Sequence, residues 1–372
     1  MSTEELEMED RSTDALSFEH ITLGQKVLFG AGKAADFLVD EVRRKKAERV
    51  MVIAGGRELG IARQVTSHID VHVWHDEVVM HVPVEVAERA RVTAREKKVD
   101  LLVCVGGGST VGLAKAVALT EKLPVVAVPT TYAGSEATNV WGLTKDERKT
   151  TGVDDAVLPQ TVIYDPELTL SLPVDLSVAS GLNALAHCVD SLWAPKADPI
   201  NAALAVEGIR ALSAGLPAIV QNPQDMRGRE MTLYGAYLSA VAFASAGSGI
   251  HHKICHTLGG TFDLPHAQTH AVVLPYVLAF NAPHAPEAER RMAAAFSADT
   301  ALEGLNRLRD EVNAPRRLSD YGFHPEDAAE AAQIALEIIP PSNPRSVTLK
   351  NLTDLLLAVT CGDDPASVPS DN

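Results

Sequence analysis

Five of the thirteen histidines fall within residues 251–270, in the string HHKICHTLGGTFDLPHAQTH. His252 and His256 are four apart, which puts both on one face of a helix, and His266 follows after a short loop. Upstream, SGLNALAHCVD places Asn183 and His187 four apart on a second helix. Two such pairs converging would make a metal cage or an acid–base cluster. The residue types disfavour the cage: Asn183, His187, His252 and His266 are all neutral, and an Asn oxygen is a poor substitute for a carboxylate. No divalent metal is therefore expected to be required; were one to bind, His187, His252 and His266 would hold it. Lys253, inside the same string, is the nearest cation in sequence to these imidazoles.

A second kind of chemistry is written in LLVCVGGGSTVGLAKAVAL, residues 101–119. An apolar strand stops at Gly106, Gly107 and Gly108, and a helix follows at once. Glycines there let backbone N–H groups approach a pyrophosphate, with Ser109 or Thr110 capping a helix whose positive end favours an anion. The spacing matches neither GxGxxG nor a P-loop. The next strand leads into VPTTYAGSEAT, residues 128–138, where Thr130, Thr131 and Ser135 put hydroxyls at the sheet edge at which α/β proteins bind ligands. VIAGGRE, residues 52–58, has no acid where a ribose 2′-hydroxyl would be read; Gly55 and Arg57 stand there instead, so both NADH and NADPH are expected to be accepted.

The elements that must position these residues divide the chain in two. Over 21–167, short apolar runs (Arg49–Ala54, Val71–Trp74, Leu101–Val105, Val125–Val128, Thr161–Tyr164) alternate with helical stretches such as Glu85–Lys97. Unbroken apolar strands between helices predict a parallel sheet covered on both faces, an α/β Rossmann-like dinucleotide-binding domain. Over 168–361 the runs give way to helical stripes, as in Ala203–Val220, Pro325–Ile339 and Thr348–Thr360, which predict an all-α catalytic domain. Residues 1–20, with seven acids against Arg11 alone, are expected to be an acidic, flexible arm, and 362–372 a flexible tail.

Composition narrows the partners. Thirty-three Lys and Arg against 49 Asp and Glu give a net charge of −16, which disfavours nucleic acid and anionic membranes. No apolar run in the sequence is read as long enough to span a bilayer. Four cysteines, Cys104, Cys188, Cys255 and Cys361, stand far apart without a CxxC pair, which fits a reducing cytoplasm.

On GGGS at 106–109, PTT with GSE at 129–136, SGLNALAH at 180–187, and HHKICHTLGG with LPH at 251–266, the chain resembles the iron-containing alcohol dehydrogenase superfamily over about residues 20–360. Within it the chain is most similar to the maleylacetate reductase branch. The resemblance implies a dehydroquinate synthase-like fold, a pyrophosphate loop at Gly106–Ser109, nicotinamide-side hydroxyls at Thr130 and Thr131, ligand positions at Asn183, His187, His252 and His266, and an extra active-site histidine at His256. Two positions depart from the family pattern: Asn183 replaces a ligand aspartate, and Gly112 stands where GGGSxxD has its acid. The loop after PTT is also one residue shorter, with Tyr132 inside it.

The activity implied is NAD(P)H-dependent reduction of the C=C bond of maleylacetate to 3-oxoadipate, on a small dicarboxylate, by a homodimer. A metal-dependent alcohol dehydrogenase and a catalytically silent nucleotide-binding protein are the alternatives. Enolate charge would develop on the ketone oxygen, so His252 or His256 is expected as the donor to it, with Lys253 holding a carboxylate.

Overall fold

The computed structural model describes residues 17–145 and 148–367. Its first half holds strands β1 (Lys26–Phe29), β2 (Val50–Ile53), β3 (Val71–His75), β4 (Leu101–Gly106), β5 (Val125–Pro129), β6 (Val140–Lys145), β7 (Arg148–Val153) and β8 (Thr161–Tyr164). Helices α1 (Ala34–Lys45), α2 (Leu59–Val65), α3 (Val84–Glu96) and α4 (Gly108–Glu121) lie between them. Six strands form one parallel sheet in the order β1-β8-β5-β4-β2-β3, while β6 and β7 pair as a separate antiparallel hairpin. Alternate side chains of the central strands serve the two faces. Met51, Leu102, Cys104 and Ala127 join the core that continues into the helical half, and Val50, Leu101, Val103 and Val126 join the core under α1 and α2.

The second half is helical: α5 (Val174–Ser191), α6 (Pro199–Gln221), α7 (Met226–Ala246), α8 (Ile250–Thr261), α9 (His266–Asn281), α10 (Pro286–Phe296), α11 (Ala301–Glu311), α12 (Ala328–Leu336) and α13 (Leu349–Cys361). From Ser177 to Ser191 every residue of α5 is buried, so α5 is the central rod of this half. Contrary to the sequence reading, α6 is long and apolar enough, by length and composition, to cross a membrane. Here it is a core helix, with Ile209, Leu212, Leu216 and Ile219 buried against its neighbours.

Residues 1–16 of the expected arm and 368–372 of the expected tail lie outside the described residues. Where the arm is described it is tied down, His20 Nδ1 meeting Asp198 at 2.9 Å and Ile21 N–H donating to Ser245 Oγ at 3.3 Å. The start of the tail is held too, since the Tyr276 hydroxyl donates to the Asp363 carbonyl at 2.7 Å.

Candidate active site

Residues Gly106 and Pro129 are register partners at the ends of β4 and β5, so the glycine turn and the Thr130–Ser135 loop leave the same edge of the sheet side by side. Gly106 has φ +154, and a Cβ there would stand 2.4 Å from Thr110 Oγ1. On Gly107 a Cβ would stand 3.0 Å from Thr131 Cγ2, so a side chain would fill the cradle between the two loops. Helix α4 begins at Gly108 with Gly107 as its N-cap, and no side chain caps it. The expected cap by Ser109 or Thr110 is therefore not made. Its absence leaves the first-turn N–H groups of α4 open to an anion, as dinucleotide pyrophosphate binding requires.

Buried Lys115 on α4 fixes the second loop, its ammonium donating to the carbonyls of Ser135 (2.6 Å) and Val140 (2.8 Å) and to Thr138 Oγ1 (3.0 Å). Burial pulls Lys115 down to about 7, with Glu136 opposing the fall. Gly134, at φ +76, lets the loop pass directly over the helical half: a Cβ there would stand 2.7 Å from Ala240 Cβ and 3.6 Å from His187 Cε1. The nucleotide loops and the histidines thus meet at one seam.

Tyr132, inside the shortened loop, points into the core. It is fully buried, its N–H donating to Ser180 Oγ at 3.1 Å and its hydroxyl to Thr169 Oγ1 at 3.3 Å. Buried Arg229 donates to that hydroxyl (3.2 Å), to Ser177 Oγ (2.8 Å) and to the carbonyls of Leu172 and Pro223. All of its acceptors are neutral oxygens, and together they pin the loop to α5 and α7.

Helix α5 carries Asn183 and His187, α8 carries His251, His252, Lys253 and His256, and α9 begins at His266 and carries His270. The rings of His187 and His252 stack, 4.9 Å between centroids and 13° between planes, and Phe243 lies 4.2 Å from His252 and 4.8 Å from His187. His256 lies 6.0 Å from His252 and, like His266, is exposed. His266 joins through His270, which is 4.4 Å from it and 4.9 Å from His252. His251 Nε2 and His270 Nδ1 are hydrogen-bonded at 2.9 Å. Burial pulls His187 and His251 down to about 3, and takes His252 and His270 well below the ordinary histidine value, neighbouring imidazoles adding to the effect. Sequence reasoning missed Phe243, His251, His270 and Asp190.

Asp190 is fully buried on α5 and accepts from the Gly249 N–H (2.8 Å), the His252 N–H (3.4 Å), His252 Nδ1 (2.8 Å) and Trp193 Nε1 (3.3 Å). A Cβ on Gly249 would stand 2.3 Å from Asp190 Oδ1, so this contact needs glycine. Burial raises Asp190 to about 6, the N–H donors holding it from going higher.

These residues do not fit a tightly held divalent ion. Asn183, His187, His252 and His266 supply no charge, and the carboxylate that touches the cluster, Asp190, is engaged by Gly249 and His252. Among the described residues, the group of three His, Cys, Asp or Glu side chains whose donor atoms all lie within 4.8 Å of one another is His251, Cys255 and His270, a different set.

At the far rim, Arg57 is exposed beyond β2. The turn is not free of acid, however: a Cβ on Gly55 would stand 3.0 Å from Glu58 Oε2, so the Glu58 carboxylate folds back over it. An acid five residues past the end of β2 is invisible to a fingerprint that seeks it at the strand end itself.

Two family models match the chain, "Iron-containing alcohol dehydrogenase" over residues 24–166 and "Fe-containing alcohol dehydrogenase family, C-terminal" over 177–360. The chain belongs to the iron-containing alcohol dehydrogenase family. The maleylacetate reductase of Pseudomonas sp. (strain P51) is 43% identical over 352 residues, 94% of this chain and 99% of that protein. An iron-containing alcohol dehydrogenase of Corynebacterium glutamicum superposes with a TM-score of 0.95 at 69% identity, over 96% of this chain and all of that one. The maleylacetate reductase of Agrobacterium tumefaciens superposes with a TM-score of 0.89 at 39% identity, covering 94% and 99% of the two chains. Membership of the family makes the chain an oxidoreductase built from a parallel-sheet α/β half and a helical half.

Proposed function

We propose that the chain is a maleylacetate reductase, using NADH or NADPH to reduce the C=C bond of maleylacetate to 3-oxoadipate in the degradation of aromatic compounds. The observation that carries this reading is the seam at Gly134 and His187, where uncapped, glycine-lined loops suited to a dinucleotide meet a cluster of imidazoles. Its substrate class is supported by the relatives of that name, alike over 94% of the chain.

A bound nicotinamide would supply a hydride to the alkene carbon distal to the ketone, placing enolate charge on the ketone oxygen. The chain's residues then have two tasks. One imidazole of α8, His252 or His256, donates a hydrogen bond to that oxygen, and a proton ends on the carbon between it and the new C–H. Lys253, half-buried beside them, holds a carboxylate of the dianion, a local attraction within a protein of net charge −16. No step needs a metal ion, a reading supported by the neutral donor set. The enzyme acts as a homodimer in the cytoplasm, with neither nucleic acid nor membrane as partner; the acidic balance and the four free cysteines support this.

The test is loss of nicotinamide absorbance on adding maleylacetate to chelator-treated protein, with 3-oxoadipate identified by mass. No turnover there, with aldehyde reduction restored by a divalent ion, would favour a metal-dependent alcohol dehydrogenase instead. His256→Ala should lower kcat with little change in KM, and Lys253→Ala should mainly raise KM. A kcat-only defect in Lys253→Ala would reverse the two roles.

A further inference from the structure

We propose that Asp190 is the positioning residue of this active site: it holds His252 as the tautomer protonated on Nδ1, so that Nε2 meets the bound reactants as an acceptor and the donor to the enolate is His256. The role of His256 rests on the function proposed above; the role of Asp190 rests on geometry alone.

A carboxylate can only accept hydrogen bonds, and Asp190 Oδ2 lies 2.8 Å from His252 Nδ1. The proton of a neutral imidazole in that contact must therefore sit on Nδ1. The remaining nitrogen, Nε2, is buried and has no hydrogen-bond partner within the protein. Asn183 Oδ1, from the facing helix α5, is buried and unpartnered as well. Two buried acceptors left unmet are costly, unless the loaded site supplies donors to them. His252 so held has no hydrogen on Nε2 to give. Of the two candidates on α8, that leaves His256, one helical turn on and exposed. Orienting one ring nitrogen through a hydrogen bond at the other is how a carboxylate sets the role of a histidine.

Asp190 also binds the N–H groups of Gly249 and His252 at the start of α8, so a purely structural role as a cap has to be separated from positioning. Oδ2 takes both of those N–H groups and His252 Nδ1, while Oδ1 takes Trp193 Nε1, so Asp190→Asn with its oxygen at the Oδ2 position keeps every one of these bonds but the last. Asp190→Ala removes the acceptor of His252 Nδ1 together with that of the two N–H groups, so positioning is read from the tautomer of His252 and not from stability. Without that acceptor nothing holds the proton on Nδ1, and its move to Nε2 sets a donor against the donors of the loaded site.

The experiment is ¹⁵N NMR of histidine-labelled full-length protein, read with steady-state kinetics. The wild type and Asp190→Asn should show His252 protonated on Nδ1 with a bare Nε2, and Asp190→Ala should shift the proton toward Nε2. In that variant kcat/KM for maleylacetate should fall about 10- to 100-fold, the cost of one unmet buried polar contact, with the Kd for NADH within about twofold of wild type. Combined with His252→Asn, it should add little further loss, because Asp190 acts through that ring. A wild-type His252 protonated on Nε2 overturns the proposal even if Asp190→Ala does not fold. So does a multiplicative loss in the double variant. The NMR arm uses no substrate, so failure to reduce maleylacetate would sink the functional reading while leaving Asp190 tested separately.

Discussion

At the scale of single residues, one atom separates this site from a metal cage. Asn183 carries an amide where the family pattern has a carboxylate, and its Oδ1 is buried without a partner. Asn183→Asp would restore an anion of nearly the same shape among His187, His252 and His266. Zinc affinity, measured by titration against a chromophoric chelator, should rise at least tenfold, since a charged oxygen replaces a neutral one. Reductase activity should not depend on the added metal. Wild-type protein that purifies with stoichiometric zinc or iron, and loses activity when stripped, would refute this reading of the donor set. The residues of the candidate site were legible in the sequence where spacing brings them together: Asn183 with His187, and His252 with His256. Asp190 was not, because a carboxylate three residues after His187 reads as an ordinary helical charge. Its partners, Gly249 and His252, lie about sixty residues away and meet it only through the crossing of α5 and α8.

At the scale of elements, the apolar strands announced themselves because a parallel sheet covered on both faces needs unbroken hydrophobic runs. Thr161–Tyr164 forms as read, and the other runs shift by one or two residues at an end. β1 escaped because KVLF is short and half-exposed at the sheet edge, and β6 and β7 because glycine and polar residues interrupt the strands of a separate hairpin. The turn after β2 escaped in another way. Arg57 was visible, yet Glu58 reaches Gly55 only because the chain turns back before α2. The two charges compete at the same rim: a guanidinium attracts a ribose 2′-phosphate, and a carboxylate repels it. Arg57→Glu should therefore weaken NADPH about tenfold or more while changing NADH little, and Glu58→Gln should shift preference toward NADPH. Fluorescence titration of both nucleotides decides it. Equal losses for the two in Arg57→Glu would show that this residue does not face the ribose.

At the scale of the molecule, the buried imidazoles make stability a function of pH. His187 and His251 are held near 3, and His252 and His270 lie well below the ordinary value, burial being the first cause in each. In the unfolded chain each would titrate near ~6.5. Below that pH the unfolded state binds protons that the folded state refuses, so stability is present above about 6.5 and drains away as pH falls toward 3. Each imidazole contributes a loss of up to about 1.4 kcal/mol per pH unit in that window. Asp190 works the other way. Its folded value of about 6 lies above the ordinary aspartate value of 3.8, so its contribution is greatest below 3.8 and is lost as pH rises through 6. One raised carboxylate cannot offset four depressed imidazoles. Lys115, held at about 7, has its own contribution above the ordinary lysine range and loses it as pH falls toward 7. The stability maximum should accordingly lie on the alkaline side of neutrality, and urea midpoints should drop steadily from pH 7 to pH 5. Replacing the hydrogen-bonded pair in His251→Gln/His270→Gln removes two of the titrating groups without adding charge. The pH dependence of the midpoint should flatten in that variant at an unchanged urea m-value, whatever its absolute stability. An acid slope identical to that of the wild type would place the origin of the sensitivity outside the imidazole cluster.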